Sequence, residues 1–109
     1  MGNVLDRAVA QRYASWFRAL ADPSRVQIVE YLARQARPMS VGELVDAVGL
    51  AQSTVSQHLK VLAEVRFVLA DPVGTSRRYH INQACLDCFP SAADVVMGNP
   101  APVPMEVCA

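Results

Sequence analysis

Residues 41–63 constrain the fold of this chain more than any other stretch. Apolar residues recur there at helical spacing on both sides of Gly49, a residue that readily ends a helix in the left-handed conformation. Two helices joined by a few residues that include glycine are typical of a helix-turn-helix. The apolar positions are Val41, Leu44, Val45 and Val48 before the glycine and Val55, Leu59, Val61 and Leu62 after it.

The polar face of the second of these helices carries groups that can read DNA. Amides and hydroxyls bond base edges in the major groove, and a cation bonds phosphates. A merely solvated helix more often pairs Glu with Lys at i,i+4, whereas the second helix has no acidic residue before Glu64. We therefore expect DNA contacts from Gln52, Ser53, Thr54, Ser56, Gln57, His58 and Lys60.

Two more helices are predicted before this motif. Residues 4–20 place apolar side chains along one side of a first helix, with an aromatic group expected in packing or in a dimer interface: Tyr13, Trp16 and Phe17. Asp22 is a good N-cap and Pro23 is favoured at the first helical position, so a second helix should run from there to about Ala36. Its buried positions should be Val26, Ile28, Val29 and Leu32.

Capping signals set the bounds of the third and fourth helices. Ser40 and Glu43 have the S-x-x-E spacing of a capping box, so the third helix should start at Ser40. The fourth helix should begin near Ala51, which is a poor N-cap, and run to about Val65. The predicted reading helix therefore begins without a strong side-chain cap.

A basic hairpin is predicted after the fourth helix. Residues 67–69 should form a short strand, residues 71–76 contain Pro72 and Gly74 and should form a turn, and residues 77–81 should form the returning strand. A basic hairpin after a recognition helix is a wing, whose side chains reach phosphates or the minor groove. The wing residues expected to contact DNA are Arg77, Arg78 and Tyr79.

A last helix should begin at the N-cap Asn82 and stop at Gly98. Pro90 either kinks that helix or separates one turn from a new helix that starts near it. We expect one DNA-binding and dimerisation domain over residues 1–98. Residues 99–109 should form a flexible, proline-rich tail.

Composition and charge narrow the class of protein. Apolar residues make up 52% of the 109 residues and charged residues 18%, so part of the apolar surface should be covered by a partner. The net charge is zero, but residues 50–80 are locally basic and residues 81–109 carry only acidic charges. The sequence shows no apolar run of about 18 residues and no signal-peptide pattern, which predicts a cytoplasmic protein without a membrane. No Ser/His/Asp set, phosphate loop or pair of catalytic acids is evident, so an enzyme is not expected.

The predicted order of elements resembles the winged-helix repressors of the ArsR/SmtB family. The resemblance covers roughly residues 14–83 and depends on three motifs: ALADPSRVQIVEYL at 19–32, VGELVDAVGLAQSTVSQHLKVL at 41–62 and GTSRRYHIN at 74–82. It implies a mainly α winged helix-turn-helix with a small β-hairpin wing, and a homodimer built from the first and last helices. It also implies a double-stranded operator with two half-sites, no cofactor for DNA binding, and an inducer that lowers DNA affinity.

Two inducer sites of that family do not carry over to this sequence. Many metal-responsive members have a Cys-x-Cys pair at the start of the third helix, where this chain has Ser40 and Gly42. Other members bind zinc between their last helices through Asp and His. Asp87 and Asp94 have no His near them in this sequence, which argues against such a zinc site.

The three cysteines are the remaining candidates for an inducer site. Cys85 and Cys88 are spaced i,i+3 on one face of the last helix, and the positive helix end favours a thiolate at Cys85. An odd number of cysteines in a reducing compartment does not indicate a disulfide framework. Trivalent arsenic or antimony prefers three sulfurs, and the tail is long enough to bring Cys108 back as the third. We therefore expect a trivalent arsenic or antimony inducer bound by Cys85, Cys88 and Cys108.

Three alternatives stay open at this point. Cys85 and Cys88 can form a redox switch through a disulfide or persulfide, or belong to a four-ligand cadmium, lead or zinc site. A third alternative is a protein-interaction module whose helix-turn-helix no longer reads DNA. The basic residues Lys60, Arg77 and Arg78 argue against that last alternative.

Overall fold

The computed structural model describes residues 4–100, and within the last helix it describes only the backbone of Cys85 and Leu86. The helices are α1 (Arg7–Ala19), α2 (Pro23–Gln35), α3 (Val41–Val48), α4 (Gln52–Glu64) and α5 (Gln83–Val96). The strands are β1 (Met39–Ser40), β2 (Val68–Val73) and β3 (Ser76–Ile81), and they form one antiparallel sheet in the order β1-β3-β2. The predicted fold class, mainly α with a β-hairpin wing after a helix-turn-helix, is confirmed. No helix in the described part of the chain is long and apolar enough to cross a membrane.

Acidic N-caps start the first two helices. The carboxylate of Asp6 accepts hydrogen bonds from the amides of Ala8 and Val9, so α1 begins after Asp6. The prediction that Val4 and Leu5 belong to the helical face is therefore wrong, and both side chains are exposed. The predicted Asp22 cap of α2 is confirmed, with Oδ1 2.8 Å from the amide of Ser24.

The buried face of α2 is narrower than predicted. Ile28 and Leu32, which are one helical turn apart, are fully buried, and Val29 packs at the edge of the core. Val26 is 48% exposed, although it was predicted to be buried. It lies two residues before Ile28, so the helix turns it about 200° away from the core-facing side.

The capping box of α3 is present as predicted. Ser40 Oγ accepts from the amide of Glu43 at 3.1 Å, and Glu43 Oε1 accepts from the amide of Ser40 at 3.0 Å. Gly49 ends α3 at φ 71°, the left-handed conformation expected of it. Together these local signals fix both ends of the first helix of the helix-turn-helix.

The wing is longer than predicted. β2 continues through Asp71 and Pro72, so the turn is confined to Gly74 and Thr75, with Gly74 at φ 62°. Pro72 is tolerated because β2 is an edge strand, where a missing N–H need not break the ladder. The two-residue strand β1, which the sequence analysis did not predict, pairs Ser40 with Arg78 on the other edge of β3.

The core lies between α2, α3, α4 and the inner face of the sheet. Its fully buried side chains include Ile28, Leu32, Leu44, Val55, Leu59 and Leu62. The predicted packing role of Tyr13 and Trp16 is confirmed, since both are buried with their rings 5.6 Å apart. The apolar sides of the two helix-turn-helix helices therefore face the same core.

Helix α5 runs without interruption through Pro90, so of the two alternatives for this region the separate second helix is wrong. Pro90 has no N–H to bond the carbonyl of the residue four positions earlier. Because Pro90 is exposed, water can bond that carbonyl instead. The ring of Phe89 packs edge-on against Phe17 of α1 and against Phe67 before β2. Residues 101–109 of the predicted tail, with Cys108, lie outside the described residues.

Candidate nucleic-acid interface

Helix α4 has one buried side and one polar, exposed side. Val55, Leu59 and Leu62 are fully buried and anchor the helix to the core. The exposed side chains are Gln52, Ser53, Thr54, Ser56, Gln57 and Lys60. This arrangement presents amides, hydroxyls and one cation on one side of a helix that is anchored to the core, and these groups can bond base edges and phosphates.

The start of α4 has no side-chain cap. Ala51 occupies the N-cap position, and its side chain supplies no hydrogen bond to the amides of the first turn. The first amides of a helix lack partners within the helix, and together with the helix dipole they favour an anion at that end. The N-terminal turn of α4 is therefore suited to a phosphate close to the residues that face the bases.

The wing and α4 enclose a groove of about 460 Å³. Ser56, Lys60 and Glu64 line it from α4, and Arg77 and Tyr79 line it from β3. Arg77 and Tyr79 are two residues apart in a strand, so their side chains share one face of the sheet. The groove thus brings two cations, one carboxylate and a phenol together beside the polar side of α4, with a net positive charge.

Arg78 belongs to the opposite face of β3. Its Nη1 lies 3.5 Å from Glu43 Oε1, and Arg37 Nη2 donates to Glu43 Oε2 at 2.9 Å. Hydrogen bonds from the backbone amide of Ser40 and from the Arg37 side chain lower the pKa of Glu43 to about 2. Arg78 is therefore paired with the start of α3, whereas the sequence analysis grouped it with Arg77.

His58 is directed away from the polar side of α4. Its side chain is 15% exposed, with Nδ1 3.3 Å from Arg25 Nη1 and Nε2 3.9 Å from Asp22 Oδ1. Arg25 also donates from Nε to the carbonyl of Ala19 at 2.5 Å and from Nη2 to that of Arg18 at 3.4 Å. One guanidinium thus joins the end of α1, the start of α2 and the recognition helix.

The sequence analysis expected His58 to contact DNA, whereas the structure places its side chain beside Arg25 and Asp22. His58 follows Val55 by three residues and precedes Leu59 by one, so it borders the buried side of the helix. That spacing was the sequence signal from which the partial burial of His58 could have been predicted. The role of Arg25 had no comparable signal in the sequence, because its contact with His58 spans 33 residues.

The Asp22 carboxylate is held in its charged form at the same corner. Partial burial raises its pKa, but hydrogen bonds from the amides of Arg25 and Ser24 lower it. The nearby His58 and Arg25 side chains lower it further, and the net shift is downward. Asp22 is therefore an anion that caps α2 while facing the histidine of α4.

The cysteines of α5 are only partly described. Asn82 Oδ1 accepts from the amide of Ala84, so Cys85 is the third residue of the helix, as predicted. Cys88 is 4% exposed and its sulfur is disulfide-bonded, which differs from the expected free thiolate. Apolar surroundings disfavour a thiolate and tolerate a neutral disulfide. The Cys85 side chain and Cys108 lie outside the described part, in which no group of three or more His, Cys, Asp or Glu residues is suited to a metal ion.

Comparison with known proteins places this geometry among DNA-binding regulators. The family model described as "Bacterial regulatory protein, arsR family" matches residues 22–69. The chain is 46% identical over 66 residues to the HTH-type transcriptional regulator Rv2034 of Mycobacterium tuberculosis. These aligned residues cover 61% of this chain and 60% of that protein. The chain is 36% identical over 84 residues to a "Probable mercury resistance operon repressor" of Streptomyces lividans, covering 77% of this chain and 61% of that protein.

A solved structure extends the likeness to almost the whole chain. It is the homodimeric winged helix-turn-helix DNA-binding domain (fragment 1–100) Mb0332 from Mycobacterium bovis, with a TM-score of 0.68 and 29% identity. The match covers 90% of this chain and 91% of that one. The chain spans about three fifths of the length of the two curated relatives named above, at 60% and 61%.

Proposed function

Because this chain belongs to the ArsR family of bacterial transcriptional regulators, which bind DNA and are not enzymes, we propose that it is an operator-binding repressor. The observation that carries the proposal is the polar, exposed side of α4 with Lys60, Arg77 and Tyr79 beside it. The helix enters the major groove, and base edges are read by Gln52, Ser53, Thr54, Ser56 and Gln57. Lys60, Arg77 and Tyr79 contact the backbone or the minor groove.

The proposed active form is a homodimer. One recognition helix reads one half-site, and a two-fold dimer presents two of them to a palindromic operator. Exposed apolar side chains lie before α1 and at the end of α5, at Leu5, Val96 and Met97. The homodimeric M. bovis relative supports a homodimer, and these exposed apolar side chains are the surface that we propose the two copies bury.

Selection of operator DNA tests this proposal. A randomised duplex library is enriched with the full-length chain, and the enriched duplexes are then footprinted and the complex is sedimented. We expect two half-sites about one helical turn or a multiple of it apart, and two chains for each duplex. Recovery of no preferred sequence, or one chain for each duplex, would show that the proposal is wrong.

We further assign the inducer as trivalent arsenic or antimony. Arsenous acid and three thiols give an arsenic centre with three sulfur bonds and release three water molecules, so no electrons are transferred. Cys85, Cys88 and Cys108 supply the sulfurs, after a cellular thiol has reduced the disulfide of Cys88. The relative named for mercury resistance supports a thiophilic inducer, because mercury and arsenic both prefer sulfur.

Linkage sets the direction of the response. A ligand releases DNA only if it binds the free protein more tightly than the complex, and couplings of this kind weaken binding about 5- to 150-fold. The test is a titration of the reduced operator complex with arsenite, using the parent, Cys85→Ser, Cys88→Ser and Cys108→Ser. The first two variants should keep DNA affinity and lose the response, and the third should respond more weakly. Full release in the Cys85→Ser/Cys88→Ser double variant would exclude the site.

The disulfide of Cys88 favours a second candidate, a thiol redox switch. Two thiols and one peroxide molecule give one disulfide and two water molecules, with both thiol electrons passing to the peroxide. Hydrogen peroxide should then release the operator from the reduced protein while arsenite does not. The opposite pattern identifies the metalloid as the signal.

A further inference from the structure

One side-chain amide joins the start of α5 to the end of α4. The Nδ2 group of Asn82 donates to the carbonyl oxygen of Arg66 at 2.9 Å, and its Oδ1 accepts from the amide of Ala84 at 3.2 Å. The backbone amide of Asn82 also donates to the carbonyl of Phe67 at 2.9 Å. The residue that caps the cysteine-bearing helix therefore also bonds the segment that follows the recognition helix.

Arg66 occupies a restrained position at the end of α4. It has φ 64°, a left-handed conformation that residues other than glycine seldom adopt. Its amide donates to the carbonyl of Ala63 at 3.1 Å, and the amide of Phe67 donates to that of Leu62 at 3.0 Å. These two bonds form a Schellman motif, in which a single peptide conformation closes the helix. A group that bonds the Arg66 carbonyl therefore acts on the geometry of the helix end.

Phe89 supplies a second contact between the same elements. Its ring centroid lies 5.4 Å from that of Phe67 and 5.2 Å from that of Phe17, both in edge-on geometry. Phe89 directly follows the buried Cys88. Asn82 and Phe89 thus lie on either side of the cysteine segment of α5, and both contact residues 66–67.

We propose that Asn82 is a positioning residue that transmits the state of the start of α5 to the end of α4, with Phe89 as the second contact. The inference depends on the proposed function, because it names the path by which a change at the α5 cysteines alters DNA affinity. The oxygen that bonds Ala84 and the nitrogen that bonds Arg66 belong to the same planar amide of Asn82, so the two hydrogen bonds have one shared orientation. A reorientation of the first turn of α5 cannot keep the cap to Ala84 and the bond to Arg66 at once.

The test replaces the amide by groups that can still cap α5 but cannot donate to the carbonyl of Arg66. Asn82→Asp keeps the oxygen that bonds Ala84 and loses the donor to Arg66, since a carboxylate only accepts. Gln83→Glu is the matched control, because it makes the same change of charge at the next residue, which is exposed. Asn82→Ser is the second variant, with a capping hydroxyl that is too short to reach Arg66.

The first measurement needs no inducer. The full-length variants are compared for amide hydrogen exchange at Arg66 and Phe67 and for affinity to the duplex that the parent selects. Exchange should be faster in Asn82→Asp and Asn82→Ser, and affinity about 3- to 10-fold weaker than in Gln83→Glu, as loss of one hydrogen bond predicts. Equal exchange and equal affinity in all three variants would overturn the inference.

The second measurement adds arsenite to the reduced proteins, with binding followed separately by mass spectrometry. The ratio of operator affinities without and with arsenite should be kept in Gln83→Glu and fall at least threefold in Asn82→Asp, although arsenite still binds. An unchanged ratio in Asn82→Asp would contradict the transmitting role. If the parent itself does not respond, the proposed inducer is wrong, and the exchange and affinity results still decide whether Asn82 positions α4.

Discussion

Arg77 and Arg78 are neighbours in the sequence, but they lie on opposite faces of strand β3. Arg77 faces the groove beside Lys60, and Arg78 lies 3.5 Å from a carboxylate oxygen of Glu43 at the start of α3. A strand alternates its side chains between two faces, so the pair cannot act as one basic patch. The two arginines therefore form a matched pair for testing which face of the wing contacts DNA.

Arg77→Ala should weaken binding to operator and to random DNA by similar factors. Loss of one phosphate contact should also reduce the slope of log affinity against log salt by about one. Arg78→Ala removes the same charge from the other face and should leave the slope closer to that of the parent. The measurement is fluorescence anisotropy at several salt concentrations. Equal slopes for the two variants would show that the assignment of faces is wrong.

Gln57→Ala should act on sequence discrimination rather than on general affinity. Gln57 is exposed on the polar side of α4, and a glutamine that bonds a base pair contributes about 1–3 kcal/mol of discrimination. We expect weaker binding to the selected operator and little change on random duplex. Competition between the two duplexes measures the ratio, and an unchanged ratio would exclude Gln57 as a reading residue.

His58→Leu should affect stability and leave sequence discrimination intact. His58 accepts from Arg25 at 3.3 Å, and loss of such a bond costs about 1 kcal/mol in the free energy of unfolding. His58→Asn retains an acceptor and should be less destabilised. Urea denaturation measures the stabilities, and the competition used for Gln57 is the second readout. If His58→Asn discriminated less between the selected operator and random duplex, this would show that His58 contacts DNA.

Acid should destabilise the fold partly through Glu43. Its pKa is about 2 in the folded protein against an ordinary value of 4.5, so the folded state favours the carboxylate. The stabilisation is complete above about pH 4.5 and is lost as the pH falls toward 2. Glu43→Gln should therefore be less stable at neutral pH and show a flatter stability profile between those values. Parallel profiles for parent and variant, from urea denaturation at each pH, would contradict this.

The features predicted from the sequence are those decided within a few residues. The Asp22 cap, the Ser40 capping box and the left-handed Gly49 each depend on contacts no more than four residues apart. Such contacts follow from residue type and spacing alone. Together with the helical spacing of Val55, Leu59 and Leu62, they were sufficient to predict the helix-turn-helix and the exposed side of α4.

The features missed are those decided by contacts between distant residues. The placement of His58 depends on Arg25 of α2, and that of Arg78 on Glu43 of α3. The bond from Asn82 to Arg66 joins residues 16 positions apart. The length of β2 also depended on Pro72 lying at an edge of the sheet, which became known only with the strand order. Local spacing indicates the face on which His58 and Arg78 lie, but no local pattern specifies the residues that they contact there.

The uncapped start of α4 has a consequence for how the protein searches DNA. Since the Ala51 side chain cannot cap the first amides, we expect this turn to fray in the free protein and to become ordered when a phosphate accepts from it. The protein can then slide on its Lys60 and Arg77 contacts with the base-reading turn still loose. It would become fixed on a site only when Gln52 and its neighbours fold against matching bases, so that speed of search and accuracy of reading belong to two different conformations of one helix.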